Sequence, residues 1–531
     1  MVGKIGRLIA FRTLRFCLLM VLAAGIYRFG IYELGWSNNL KYPFSKLVAT
    51  VLLVAVGILV LFPDTKQRMK GNWQYWLWVI AFISFVPFYL LKYLMGVNDI
   101  EALIVFFQGT SLKDATNFAA ADFIPYIAKE GLTVVVVFVV AYILFRLTRH
   151  FGVVLAVLAC ALIYLHPATR YLADSIFPNP AHALINFEDD VHPVQITSRP
   201  ENPKNVILLY LESLERTYFD VPEAKEAIEG LIPIAKQGFE AVNISQVRGT
   251  ESSVPGNVAT QCGVPLLPKI LNNPMSQKVA STEEILPSIT CLSDILREDG
   301  YNSSYVVGTD LEPMSLGRFL ETHQYKNLLG LGSISQEDKE TYKMNWGVTD
   351  EHTFARAATE IRRLSKEDAP FLLSVATMAT HGPDGFPSEN CEFDTQLDSK
   401  MLRSMYCTVE HVKGVVGLIE ELGLSKNTVI VVMSDHLALP NIFRKQLAGK
   451  ARRNLFFILN AGSNRVTDKP ALAFDIYPTI LEAMGYELKD RKANLGVSLY
   501  SDIPGLISRI GDDKVDGAIR GNKPFAAALW E

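Results

Sequence analysis

Three apolar runs in this sequence each end on residues able to do chemistry. Val206–Leu211 stops at Glu212, and Val429–Met433 stops at Ser434-Asp435-His436. Phe371–Ala376 leads to Thr380-His381-Gly382-Pro383. A carboxylate at the end of a buried strand is costly unless it is paired or bound to a cation. Glu212, Asp435 and His436 together form a plausible shell for one divalent metal ion: oxygen ligands with one imidazole suit Mn²⁺ or Zn²⁺, with Mg²⁺ also possible. A nucleophile is expected from Ser253-Val-Pro-Gly-Asn-Val-Ala-Thr-Gln-Cys-Gly263, which reads as the start of a helix. Ser253 suits the N-cap and Pro255 the first turn. A hydroxyl there meets free N–H groups and the positive end of the helix dipole, where a phosphate can be held. A metal on the same oxygen would make an alkoxide accessible, so Ser253 is a candidate nucleophile. Thr250 is a nearby competitor for that role.

These residues must be positioned by elements. Val206–Leu211, Tyr305–Val307, Phe371–Ala376, Val429–Met433 and Leu455–Leu459 read as buried strands, alternating with helical stretches at 350–364, 402–422 and 472–484. That alternation predicts a mainly parallel sheet covered on both faces, with the ligand at the carboxyl ends of the strands.

The chain has 531 residues, a net charge of −4 and 49% apolar residues. The length calls for more than one domain, and the charge leaves no nucleic-acid footprint. The apolar excess sits in the first third. Five hydrophobic spans are expected, at 13–33, 45–63, 74–95, 127–147 and 151–166, each near the ~20 residues that cross a bilayer. The first is too long for a cleavable signal peptide and lacks a small-residue cleavage pattern. Basic residues (Lys4, Arg7, Arg12 and Arg15; Lys66, Arg68 and Lys70; Arg146 and Arg149) mark one side as cytoplasmic. Trp73, Trp76 and Trp78 read as an interfacial belt. An odd number of spans puts the N-terminus in the cytoplasm and everything after 166 outside it. The organisation expected is a transmembrane domain at 1–166, a linker at 167–203, a catalytic domain at 204–500 and a tail at 501–531. Cys262, Cys291, Cys391 and Cys407 fall in the exported part, where an even number reads as two disulfides. Three connectivities are open; the short loops favour Cys262–Cys291 with Cys391–Cys407.

Taken together, LESLERTYF, ATQCGVPL, THGPDGF, NTVIVVMSDHLALPN and RRNLFFIL resemble the sulfatase-like branch of the alkaline phosphatase superfamily. With spans ahead of such a domain, the chain resembles the membrane-bound lipoteichoic acid synthases and phosphoethanolamine transferases. It is most similar to the phosphoglycerol transferases that decorate periplasmic glucans. The resemblance implies metal ligands Glu212, Asp435 and His436, Ser253 as nucleophile and fourth ligand, and His381 contacting the substrate phosphate or protonating the leaving oxygen. It implies transfer of a phospholipid headgroup, from phosphatidylglycerol or phosphatidylethanolamine, onto a periplasmic glycan or glycolipid through a phosphoserine-type intermediate, at a bacterial inner membrane. Phosphoglycerol is favoured. The alternatives are phosphoethanolamine transfer, a phosphodiesterase or other hydrolase of the same fold, and a non-catalytic envelope scaffold. Residue 253 is serine where arylsulfatases carry a modified cysteine. The aromatic–arginine pair of the lipoteichoic acid synthases is missing from GTDLEPMSLGRF, where only Arg318 lies nearby. Arg444, Lys445, Lys450, Arg452 and Arg453 follow the Asp-His motif and read equally as a lipid-phosphate site or a solvated face. Glu215 and Arg216 are expected to support the ligands, and His411 to be structural.

Overall fold

The computed structural model describes residues 73–84, 104, 138–139, 142–143, 151–166, 168–169, 180–269, 284–391 and 399–531. The chain divides into two compact units, the second being chiefly Phe177–Glu531. The expected spans at 13–33 and 45–63 lie outside the described residues, as does most of 127–147. In the N-terminal unit, helices Trp73–Ile83 and Phe151–Leu165 occupy parts of two other expected spans. Trp78 is buried edge-on to Phe138, with ring centres 5.4 Å apart, while Trp73, Trp76 and Ile80 are exposed. Among the described residues no helix is long and apolar enough to cross a membrane.

The second unit is built on an eight-stranded sheet. Its strands are β1 (Asn205–Leu211), β2 (Phe239–Ala241), β3 (Asn302–Val307), β4 (Asn327–Leu329), β5 (Phe371–Ala376), β6 (Thr428–Ser434), β7 (Phe456–Leu459) and β8 (Val466–Thr467). Across the sheet they run β8-β2-β7-β6-β1-β5-β3-β4. All pairs are parallel except those of β7, which is antiparallel to both neighbours. The central strands are apolar throughout because both faces are covered. Val206, Leu208 and Tyr210 face one layer, with α2 (Ser253–Cys262) and α5 (Ile476–Ala483). Ile207, Leu209 and Leu211 face the other, with α1 (Pro222–Ile228), α3 (Asp350–Leu364) and α4 (Lys400–Glu421).

β3 begins three residues before the expected apolar run. Its extra residues are Asn302, Ser303 and Ser304, whose polarity hides a strand. Ser304 is fully buried because its hydroxyl donates to Glu360, and the Ser303 hydroxyl accepts from the Lys326 amide. The register sets the site. Leu211 pairs with Ser434, and Tyr210 pairs with Ala376. Three strands therefore end at one level, and the next residues out, Glu212, Asp435 and Thr377, are neighbours.

The segments flanking the sheet are also folded. Ile185 and Val191, in the expected linker, belong to the core, and Ile196–Ser198 pairs with Glu487–Leu488. Residues 501–531, set apart as a tail in the sequence reading, form α6 (Leu506–Ile510), α7 (Asp512–Ile519) and α8 (Lys523–Ala528). Their Leu506, Val515, Ile519, Phe525 and Leu529 complete the same core.

Candidate active site

At the end of β1 the chain turns sharply: Ser213 has a φ of 55°, in the left-handed region. The turn keeps Glu212 inside, at 1% exposure, beside Asp435 at 6% and His436 at 2%. One candidate ligand atom from each of the three residues lies within 4.8 Å of the others. Asp435 Oδ1 accepts from the amides of Ser213 and His436, at 2.9 and 2.8 Å. That leaves Oδ2 facing His436 Nε2 at 3.4 Å. Glu212 Oε1 accepts from the Ser213 hydroxyl at 2.7 Å and lies 3.5 Å from the same nitrogen.

His436 Nδ1 lies 2.8 Å from the Leu437 carbonyl. A carbonyl only accepts, so Nδ1 carries a hydrogen, and in that neutral tautomer the Nε2 lone pair would face two carboxylate oxygens and be free for a metal. Burial, and then the charge of Asp435, push the Glu212 carboxyl well above the usual carboxylate range. Two buried acids and a bare imidazole nitrogen converging on one point is a donor set that a divalent cation fits: it would offset the charge that burial penalises. The cluster of Cys262, Cys291 and His323 does not fit a metal in the same way, because both sulfurs are joined to each other.

Ser253 is the first residue of α2, and Ser252 is the N-cap; the helix begins one residue earlier than expected. The Ser253 hydroxyl donates to Glu212 Oε2 at 3.1 Å. Thr250 is not in competition. Its hydroxyl is buried, donating to the Val247 carbonyl at 2.7 Å and accepting from the Val247 amide at 3.2 Å, so it closes a turn. At the other end of α2, Gly263 takes the left-handed cap at φ 66° and Cys262 is bonded to Cys291. The second disulfide is Cys391–Cys407.

Sequence reasoning gave no reason for Gly256. A Cβ at that position would lie 2.0 Å from the carbonyl oxygen of Asp435, so the first turn of α2 rests directly on the backbone of the Asp-His loop. The position in the first turn offered no signal, because the partner is remote in sequence.

The β5 turn brings His381 to the same edge. Thr377 Oγ1 accepts from the Glu212 amide at 2.8 Å, and the Thr380 hydroxyl donates to the Glu212 carbonyl. His381 Nδ1 donates to the Gly382 carbonyl at 2.7 Å, which leaves Nε2 as an acceptor. The ring meets Trp346 edge-on, with centres 3.8 Å apart. Burial, reinforced by His436, lowers the His381 pKa to about 3 from 6.5. In that window the unfolded chain takes up a proton that the folded one refuses. The contribution of His381 to stability is therefore complete above pH 6.5 and is lost as pH falls toward 3. Melting temperatures taken from pH 7 to pH 4 are expected to fall, less steeply in His381→Asn.

The basic cluster after the Asp-His motif divides. Arg452 Nε lies 3.0 Å from both oxygens of fully buried Glu215, and the Glu215 carboxylate also accepts from the Ala438 amide at 2.8 Å. Glu215 and Arg452 thus tie the turn after β1 to the loop leaving His436. Arg453 bonds Asn243, and Arg216 pairs with Glu240 at 3.0 Å. Lys445, Lys450 and Arg318 are exposed. His411 is a packing residue, stacked on Phe354 at 4.9 Å. Arg452→Met leaves Glu215 buried with little to balance it. A loss of about 3 kcal/mol is expected, read from chemical denaturation.

A sulfatase family profile matches residues 204–486. The chain is 34% identical over 276 residues to Phosphoglycerol transferase I of Escherichia fergusonii, covering 51% of this chain and 35% of that protein. It is 33% identical over 294 residues to Phosphoglycerol transferase I of Citrobacter koseri, covering 54% and 38%. The matched region therefore spans little more than a third of these relatives' length. Among solved structures, the chain aligns with a protein in the alkaline phosphatase superfamily from Vibrio parahaemolyticus at 18% identity and a TM-score of 0.45, covering 62% of this chain and 78% of that one. The profile takes in just over half of the sequence, and within it fall Glu212, Ser253, His381, Asp435 and His436: the chain belongs to the sulfatase family.

Proposed function

We propose that the protein transfers a phospholipid headgroup, phosphoglycerol, onto a periplasmic glycan or glycolipid through a phosphoserine-type intermediate on Ser253. The observation that carries this reading is the Ser253 hydroxyl, bonded at 3.1 Å to Glu212 within the buried Glu212, Asp435 and His436 cluster. The name shared by the two relatives supports phosphoglycerol over phosphoethanolamine. Serine at 253, in place of a cysteine, supports phosphoryl over sulfuryl chemistry. Two disulfides in the second unit support placement outside the cytoplasm, and the apolar first third supports an inner-membrane anchor that brings the site to its lipid.

Glu212, Asp435, His436 and Ser253 would hold the Mn²⁺, Zn²⁺ or Mg²⁺ ion. When bound, it supplies positive charge against the buried acids and lowers the pKa of the serine hydroxyl. In the first step Ser253 Oγ bonds to phosphorus, and its hydrogen leaves along the bond to Glu212 Oε2. The bond from phosphorus to the diacylglycerol oxygen breaks. His381 protonates that oxygen from its imidazolium form, which the negative phosphodiester favours in an otherwise proton-poor site. In the second step the acceptor hydroxyl gives its proton to His381 Nε2 while its oxygen attacks phosphorus. Ser253 Oγ leaves and recovers its hydrogen from Glu212.

The test is headgroup release by the full-length protein in detergent with Mn²⁺, offered labelled phosphatidylglycerol and phosphatidylethanolamine in parallel. Diacylglycerol from phosphatidylglycerol alone is the expected result. Release from phosphatidylethanolamine alone would reassign the donor. No release from either lipid, with metal bound, would overturn the phospholipid reading.

A further inference from the structure

We propose that Asp350 is a positioning residue, holding the turn that carries Thr380 and His381 in register with Glu212. The inference rests on the transferase reading for its kinetic consequence, but its geometry stands alone. Asp350 opens α3 and is 1% exposed. An acid at the start of a helix ordinarily serves that helix, through its own free N–H groups and its dipole. Here both oxygens are spent elsewhere: Oδ1 accepts from the Met378 amide at 2.8 Å and Oδ2 from the Ala379 amide at 3.0 Å.

Those two residues lead out of β5 into the His381 turn. The same turn grips the backbone of Glu212 from both sides, through Thr377 and Thr380. Four residues before Asp350, Trp346 sets its ring edge-on to His381. The segment from Trp346 to Asp350 therefore holds the turn at two points, one on the ring of His381 and one on the amides just before it. Any shift of the turn moves His381 and Glu212 together.

Asp350→Asn is a near-isosteric probe. An amide offers one acceptor oxygen and turns an NH₂ toward the other backbone N–H, so one buried donor loses its partner. The experiment is a double-mutant cycle on the full-length protein in detergent, comparing wild type, Asp350→Asn, His381→Ala and the double variant on phosphatidylglycerol. Asp350→Asn is expected to lower kcat about 10- to 100-fold with KM within about twofold, and to cost severalfold less in the His381→Ala background, where only the part carried through Glu212 is left to lose. Equal losses in both backgrounds would overturn the proposal, because a general structural defect is additive. Amide hydrogen exchange is the second readout and needs no turnover. Faster exchange confined to residues 377–383 in Asp350→Asn is expected, and unchanged exchange there would overturn the proposal. Absence of diacylglycerol release by the wild type would fault the transferase reading alone, with exchange still deciding the role of Asp350.

Discussion

Ser253→Ala is expected to lower diacylglycerol release from phosphatidylglycerol by at least about 10³-fold, the scale seen when a covalent nucleophile is removed. The protein should still fold, because the hydroxyl bonds Glu212 Oε2 rather than the backbone of the helix, and α2 keeps its N-cap at Ser252. Metal binding should weaken without being lost, since Glu212, Asp435 and His436 remain. Calorimetric titration with Mn²⁺ alongside the release assay separates the two effects. Thr250→Ser provides the contrast. It keeps the hydroxyl that closes the turn at Val247, and activity should survive. A Ser253→Ala protein with wild-type release would remove the covalent intermediate from the mechanism.

Gly256→Ala is expected to be nearly as damaging, for a different reason. The added Cβ would meet the Asp435 carbonyl oxygen at 2.0 Å and its carbonyl carbon at 2.9 Å. Both are backbone atoms and cannot swing aside as a side chain can. Either α2 lifts, carrying Ser253 from Glu212, or the Asp435-His436 loop retreats. A displacement of about 1 Å at a reacting group costs on the order of 10²-fold in rate, and overpacking of this kind costs about 1–3 kcal/mol in stability. Headgroup release and thermal melting should fall together. A normal rate in Gly256→Ala would show that the close approach does not set the position of Ser253.

The ligand-type residues were legible in the sequence because each interrupts an apolar run. Glu212 follows six buried apolar residues, and Asp435 and His436 follow β6. Burial plus charge is a local contradiction that a sequence displays openly. Strands β1, β5 and β6 were legible for the same reason. The short strands β2, β4 and β8, of two or three residues, carry too little pattern to read. Glu215 was read as a support for the ligands, but its pairing with Arg452, and the roles of Gly256 and Asp350, were invisible because the partners lie far along the chain: each other, the carbonyl of Asp435, and the amides of Met378 and Ala379. Arg452 looked like one of five equivalent cations, and only the fold distinguishes it from Lys445 and Lys450. The expected cysteine pairing held, with both disulfides closing short loops.

The docking of residues 182–191 onto the last helices has a consequence for how the chain is made. Ile185 and Val191 share a core with Val515, Ile519 and Phe525. The His182 ring bonds the Arg520 carbonyl, and Asp190 pairs with Arg509 at 2.8 Å. The first part of this unit to emerge during synthesis therefore finds much of its cover among residues made more than 300 positions later. Domains generally fold as units, N-terminal first as synthesis proceeds, but this core stays open until residues 506–529 have followed. Until then the apolar side chains of this segment lack that cover. Surveillance by chaperones and proteases has its widest window on this protein before that final closure.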